Sequence, residues 1–151
     1  MRTLARPEDK TEIVRRLGGV RPESPRRWGR MSAHQMVCHL ADGYRMALGE
    51  QTVTSAGGVL QRTLVKWIAL YAPLPWPAGI PTSPEIDQQG AGTPPSDFGG
   101  DVERVAGLLD LVAERRSPDW PRHPVFGRMS GAAWLRWGYL HADHHLRQFG
   151  V

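Results

Sequence analysis

Cysteine occurs once in the 151 residues, at Cys38, so no disulfide can form within the chain and nothing marks an oxidising compartment. Lysine is nearly as scarce, with Lys10 and Lys66 alone, so arginine carries almost all of the positive charge behind the formal net +4. The arginines stand in ones and twos (Arg15-Arg16, Arg26-Arg27, Arg115-Arg116) with acids between them. A phosphate-binding surface needs its cations on one face, with aromatics for stacking where the strand is single. Scattered arginines therefore disfavour a nucleic-acid partner. A long apolar run is missing too. The most apolar stretch, Val59 to Ile80, carries Arg62 and Lys66 and then prolines 73, 75, 77 and 81. A spanning helix needs about 20 predominantly apolar residues, so no membrane segment is expected. The opening MRTLARPEDK has no apolar region followed by a small-residue cleavage site, which predicts no secretory signal and a cytoplasmic location. Sustained period-two alternation with β-branched enrichment is also wanting, which argues against a sheet.

What is present suits an ordinary folded domain. Hydrophobic residues at 40% and charged residues at 23% lie near globular averages, and the length suffices for one self-sufficient core. A single domain over 1–151 is expected. Pro7, Glu8 and Asp9 suit a helix start, Ile13, Val14 and Leu17 form a short apolar stripe, and Gly18-Gly19 stops it. Ser32 with Gln35 reads as a capping box ahead of Met36, Val37, Leu40, Tyr44, Ala47 and Leu48, with a stop at Gly49. Residues 59 to 72 predict a further helix with Leu60, Leu64, Trp67, Ile68 and Tyr71 on one side. Residues 73 to 100 hold most of the prolines and read as a long ordered loop; a structureless loop that long in a compact domain is usually either functional or disordered. A helix from Asp101 to Arg116 follows, with Val102, Val105, Leu108, Leu109 and Val112 as its apolar positions. Ser130 then caps a last helix from Gly131 to Phe149. Four main helices plus one extra, without a convincing strand, give an all-α fold and argue for a bundle.

Three of the six histidines fall within five residues: His141, His144 and His145. On a helix, residues four apart differ by about 40° around the axis and about 6 Å along it, so His141 and His145 can reach one ion. That pair continues the stripe of Trp134 and Trp137 and leads on to Gln148, whereas His144 is rotated away toward the other flank of Trp137. His39, in the second helix, shares its side with Met36, Gly43 and Met46. It can face inward, with little bulk at Gly43 to block access. Three neutral imidazoles suit a borderline divalent ion such as zinc, nickel or iron, and three protein ligands leave a coordination position open for chemistry. The plainer alternative is that helical histidines on apolar faces are hydrogen-bonded core residues. Asp42 could be a partner behind the ligands or a base, against a solvated helical carboxylate. Gln148 could support the site, and Trp134 and Trp137 read as core or pocket wall. Asp143 should pair with an arginine. Cys38 should be buried and inert, His34 exposed, and His123 outside any constellation.

The segment HADHHLRQFG (141–150) resembles the C-terminal signature of the DinB-like superfamily, an H-x-x-x-H pair followed by a base and a glutamine. WGRMSAHQMVCHLADG (28–43) looks like that family's other signature, and the middle of the chain is similar to one branch of the superfamily of unknown function. The resemblance covers nearly the whole chain. It implies a four-helix bundle of up-down-down-up connectivity, here with an extra helix and a long Pro/Gly-rich loop between bundle helices 2 and 3, often assembled as a homodimer. It also implies a divalent metal held by His39, His141 and His145, and a small-molecule substrate. Some relatives are transferases or isomerases that use a low-molecular-weight thiol. The functional expectation is thus a metal-dependent enzyme, thiol-dependent or hydrolytic; the alternative is a non-catalytic metal-binding or structural dimeric bundle.

Overall fold

Every helix starts where the chain supplies an N-terminal signal, except the one that faces outward. The computed structural model describes residues 1–151, and its regular structure is helical throughout. Helix α1 spans Pro7–Leu17, with proline in the first turn and Glu8 and Asp9 at the positive end. Helix α2, Ala33–Leu48, carries the reciprocal capping box of Ser32 and Gln35 and ends on Gly49 in a left-handed conformation. Helix α3, Lys66–Tyr71, continues a wider π turn over Gln61–Val65, so the chain is helical from Val59 to Tyr71. A single 3-10 turn, Pro84–Ile86, interrupts the following loop. Helix α4 spans Phe98–Glu114 and α5 Gly131–Gln148, the latter capped by Ser130 onto the Ala133 N–H.

The start of α4 lies earlier than the expected Asp101. Asp97 caps it by accepting from the Gly100 N–H at 2.7 Å. Gly99 and Gly100 read as loop in the sequence, yet they occupy the first turn because the aspartate satisfies that free donor.

α2 packs most extensively on α4, α1 packs on α5 and α4, and α5 also meets α2, α4 and α3. One continuous apolar cluster fills the space between them. Ile13 and Leu17 enter it from α1, Met36, Leu40 and Tyr44 from α2, Leu109 and Val112 from α4, and Trp134 and Leu146 from α5. Each fully buried aliphatic chain contributes about 1.5–3 kcal/mol against the entropy of ordering it. Val14, expected on the inner stripe of α1, turns partly out to solvent. No helix is long and apolar enough to cross a membrane.

The apolar residues expected along one side of the 59–71 helix do share a side, and that side faces outward. Leu60, Leu64, Trp67, Ile68 and Tyr71 all face solvent, while Lys66 reaches the Arg128 carbonyl at 3.2 Å and Arg62 lies against Gly127. Only Leu70 is fully buried.

The long loop is held by two buried helical carboxylates. Asp42 of α2 accepts from the Thr93 N–H at 2.9 Å, the Thr93 hydroxyl at 2.6 Å and the Gln88 amide at 3.2 Å. Asp101 of α4 accepts from the Ser96 N–H at 3.1 Å and from His34 at 2.8 Å. These bonds lay residues 84–96 along α2 to the start of α4. The Ile86 carbonyl on that path faces His39.

Candidate metal centre

Helical spacing places His141 and His145 on successive turns of α5, and His39 meets them from α2. Their ligating nitrogens lie within 4.8 Å of one another, and all three side chains are buried. The rings of His39 and His145 are 4.7 Å apart between centroids, those of His39 and His141 5.1 Å, and those of His141 and His145 4.9 Å.

Hydrogen bonds fix two of the three tautomers. His39 Nδ1 lies 2.9 Å from the Ile86 carbonyl oxygen, which can only accept, so Nδ1 carries the proton and Nε2 presents a lone pair. His145 Nδ1 lies 2.9 Å from Gln148 Oε1, while the Gln148 amide nitrogen donates to the Trp28 carbonyl at 2.8 Å. That chain of donors puts a proton on His145 Nδ1 and frees its Nε2. His141 Nε2 stands 3.1 Å from His39 Nε2, and His141 Nδ1 is buried without any partner.

Burial comes first in holding all three rings below the usual histidine range. Mutual repulsion with the neighbouring imidazoles adds to it at His141 and His145, while the Ile86 carbonyl and Asp42 oppose it at His39. All three are neutral at pH 7, the state a metal ligand needs. A tetrahedral ion with Zn–N bonds of about 2.0–2.1 Å spaces its nitrogens by roughly 3.4 Å, close to the observed separation of the His39 and His141 atoms. The donor set of three buried neutral imidazoles, with the Nε2 atoms of His39 and His141 facing each other, fits a borderline divalent metal.

The surroundings position these rings. Trp137 stacks on His141 with centroids 4.7 Å apart and planes 17° from parallel. Gly43 lies against the edge of this stacked pair: a Cβ there would lie 2.7 Å from His141 Cε1, 3.1 Å from Nδ1 and 3.5 Å from the Trp137 ring. Gly43→Ala is therefore expected to displace the His141 ring, costing about 1–3 kcal/mol as overpacking does and weakening metal binding. Urea unfolding with chelator present, alongside a metal titration, checks this; wild-type values in both would mean the ring is free to move. Gly29 allows a similar approach, since a Cβ there would come within 2.5 Å of the Gln148 amide nitrogen and break its bond to Trp28.

A pocket of about 280 Å³ opens onto His145, His144 and Gln148, walled by residues 28–31, 79–82 and 87–89. The helix at 59–72 does not line it; the loop after that helix does. His144 is outside the converging set, as expected, yet its ring stands edge-on to His145 at 5.0 Å, and it faces Trp28 and Trp76 rather than Trp137. Of the two tryptophans singled out, Trp137 touches the site. Trp134 sits behind it in the core, stacked on Trp120. Asp42 is neither solvated nor a base beside the rings: it is fully buried and bound to the 88–93 loop. Gln148 holds His145, and Asp143 pairs with Arg16 and Arg147 at 2.8 and 2.9 Å.

Three features escaped the sequence. The Ile86 carbonyl, a backbone atom 47 residues from His39, has no residue signature. His34 is not exposed but bonded to Asp101 and edge-on to Phe98. Together with Cys38 they converge as a second cluster, in which the Ser96 N–H, His34 and Arg104 already satisfy the carboxylate. Burial first, and Asp101 second, push the Cys38 thiol up to about 12, so it stays inert. His123 is buried in a turn, its Nδ1 accepting from the N–H groups of Val125 and Phe126 at 3.2 and 3.1 Å.

A family described as "Protein of unknown function (DUF1569)" matches residues 7–150, and the chain belongs to it. No curated protein and no solved structure matches the chain.

Proposed function

We propose that this member of the DUF1569 family is a divalent-metal-dependent enzyme whose ion, zinc, nickel or iron, is held by His39, His141 and His145. The reading rests on one observation above the others. Nδ1 of two buried rings is committed to the Ile86 carbonyl and to Gln148, so their unprotonated nitrogens are turned toward the third ring. When bound, such an ion lowers the pKa of a water or thiol at its open position and polarises an electrophile.

The chain's own residues do the rest. Gln148 and the Ile86 carbonyl orient His145 and His39, Trp137 covers one face of His141, and the pocket beside His145 and His144 admits a small molecule. A low-molecular-weight thiol as cosubstrate, a homodimer and a cytoplasmic location belong to the same reading. So does a DinB-like four-helix bundle in up-down-down-up order, formed by α1, α2, α4 and α5 with α3 outside. Nucleic acid is disfavoured because Arg16, Arg104 and Arg147 pair with this chain's own acids, and Arg136 donates to the Leu70 carbonyl.

Metal analysis of protein prepared without a histidine tag tests the reading, with His141→Ala beside it. The expected content is about one ion per chain in the first and under roughly a tenth of that in the second, given that structural sites bind as a unit. Equal content in both removes the proposal. Turnover with a panel of thiols and electrophiles, lost on chelation and restored by reloading the wild-type protein, separates an enzyme from a metal-binding bundle without activity.

A further inference from the structure

The helical segment from Val59 to Tyr71 is amphipathic in the wrong sense for a monomer. Its inner side holds Arg62, whose guanidinium reaches the Ser55 hydroxyl, and Lys66, whose ammonium is bound to the Arg128 carbonyl. Its outer side is a stripe of Leu60, Leu64, Trp67, Ile68 and Tyr71, spaced at i, i+4, i+7, i+8 and i+11. Trp67 is 60% exposed and Leu64 56%; Val59 and Leu74 extend the patch at its two ends with 80% and 66%. Chains normally turn such a stripe inward, since each large side chain left in water forgoes burial free energy.

We propose that a second copy of this chain covers this stripe, the two segments packing across a two-fold axis. The area decides the occupant. With about 150–250 Å² offered by each large aromatic, the exposed fractions of these side chains amount to roughly 800 Å². That exceeds the roughly 300–600 Å² of the largest apolar patch on a typical monomer. It matches the about 800 Å² that each partner contributes to a standard interface. No acidic residue occurs between Gln51 and Pro84, and both bases of the helix bond on the side opposite the stripe, so the stripe is uncharged and meets its own image without like-charge contact. A self-complementary apolar patch closes as a symmetric pair. The surface is also joined to the pocket. Trp76 donates from its indole nitrogen to the Ala69 carbonyl of α3 at 2.8 Å, and its ring stands 6.0 Å from His144, which lines the pocket. The paired segments thereby hold the base of the loop that walls the site.

The inference deepens the homodimer in the proposed function by assigning its face, and sedimentation equilibrium of the full chain from 2 to 200 µM tests it. Wild type is expected at twice the chain mass, and Leu64→Glu/Trp67→Glu at the chain mass, with association at least about 100-fold weaker, the helical circular-dichroism spectrum unchanged and metal content unchanged. Leu111→Glu, at an isolated exposed leucine of α4, is expected to remain a dimer. A wild type monomeric at 200 µM overturns both the homodimer and this face. A Leu64→Glu/Trp67→Glu protein that still pairs overturns the face alone. A monomeric wild type that sediments with phosphatidylcholine–phosphatidylserine vesicles assigns the stripe to a lipid surface and overturns the proposal.

Discussion

Acidification below pH 6.5 is expected to cost the metal-free protein about 4 kcal/mol by pH 3 through His123 alone. Burial pushes this imidazole from its ordinary 6.5 down to about 3 in the folded chain. Its Nδ1 is committed to accepting from Val125 and Phe126, and its ring is packed 4.6 Å from Phe126 and 5.3 Å from Trp134. Between those two values the unfolded chain binds the proton and the folded one does not. Stability therefore rises with pH across the window, by about 1.4 kcal/mol per unit, and is complete above 6.5. His39, His141 and His145 are lowered as well and act with the same sign. Asn at position 123 keeps an acceptor near the place of Nδ1 and does not titrate. Urea unfolding of the chelated protein at pH 7, 6, 5 and 4 should give His123→Asn a slope smaller by about 1.4 kcal/mol per unit, although its stability at pH 7 is lower for want of the ring. Parallel profiles for the two proteins would show that the imidazole is protonated in the fold.

The helices and the shared face of His141 and His145 were legible because both are written in local spacing. Ser32 with Gln35, Ser130 and the glycine at 49 mark ends that the backbone itself enforces. His141 and His145 share a face on any straight helix. What spacing could not supply was direction. The stripe of Leu60, Leu64, Trp67, Ile68 and Tyr71 has the same period whether it faces a core or a partner, and only the tertiary placement of Arg62 and Lys66 decides which. Asp42 was misjudged for a related reason. A carboxylate is left in water by default, and the donors that make its burial tolerable, Thr93 and Gln88, lie 46 to 51 residues away in a loop without periodicity. His34 follows the same rule, since its partner Asp101 belongs to another helix. Loop-to-helix polar contacts have no period to read, and in this chain they orient the site.

Removing Asp42 should expose how far the site depends on that loop. Asp42→Ala deletes the acceptor of the Thr93 N–H, the Thr93 hydroxyl and the Gln88 amide at a fully buried position. The cost expected in urea unfolding is about 3 kcal/mol, as charged hydrogen bonds are lost and a backbone donor is stranded. The second effect is on the metal. Release of residues 88–93 frees the adjoining turn whose Ile86 carbonyl fixes the tautomer of His39, so affinity should fall by about 10- to 100-fold, the usual loss when a partner behind a ligand is removed. Asp101→Ala supplies the comparison. It unties Ser96 and His34 at the far end of the same loop, so it should destabilise the fold while leaving metal affinity near that of wild type. If Asp42→Ala loses stability and keeps its affinity, the Ile86 carbonyl is not what aims His39. If both variants lose affinity alike, the loop acts on the site as one body rather than through its 84–86 turn.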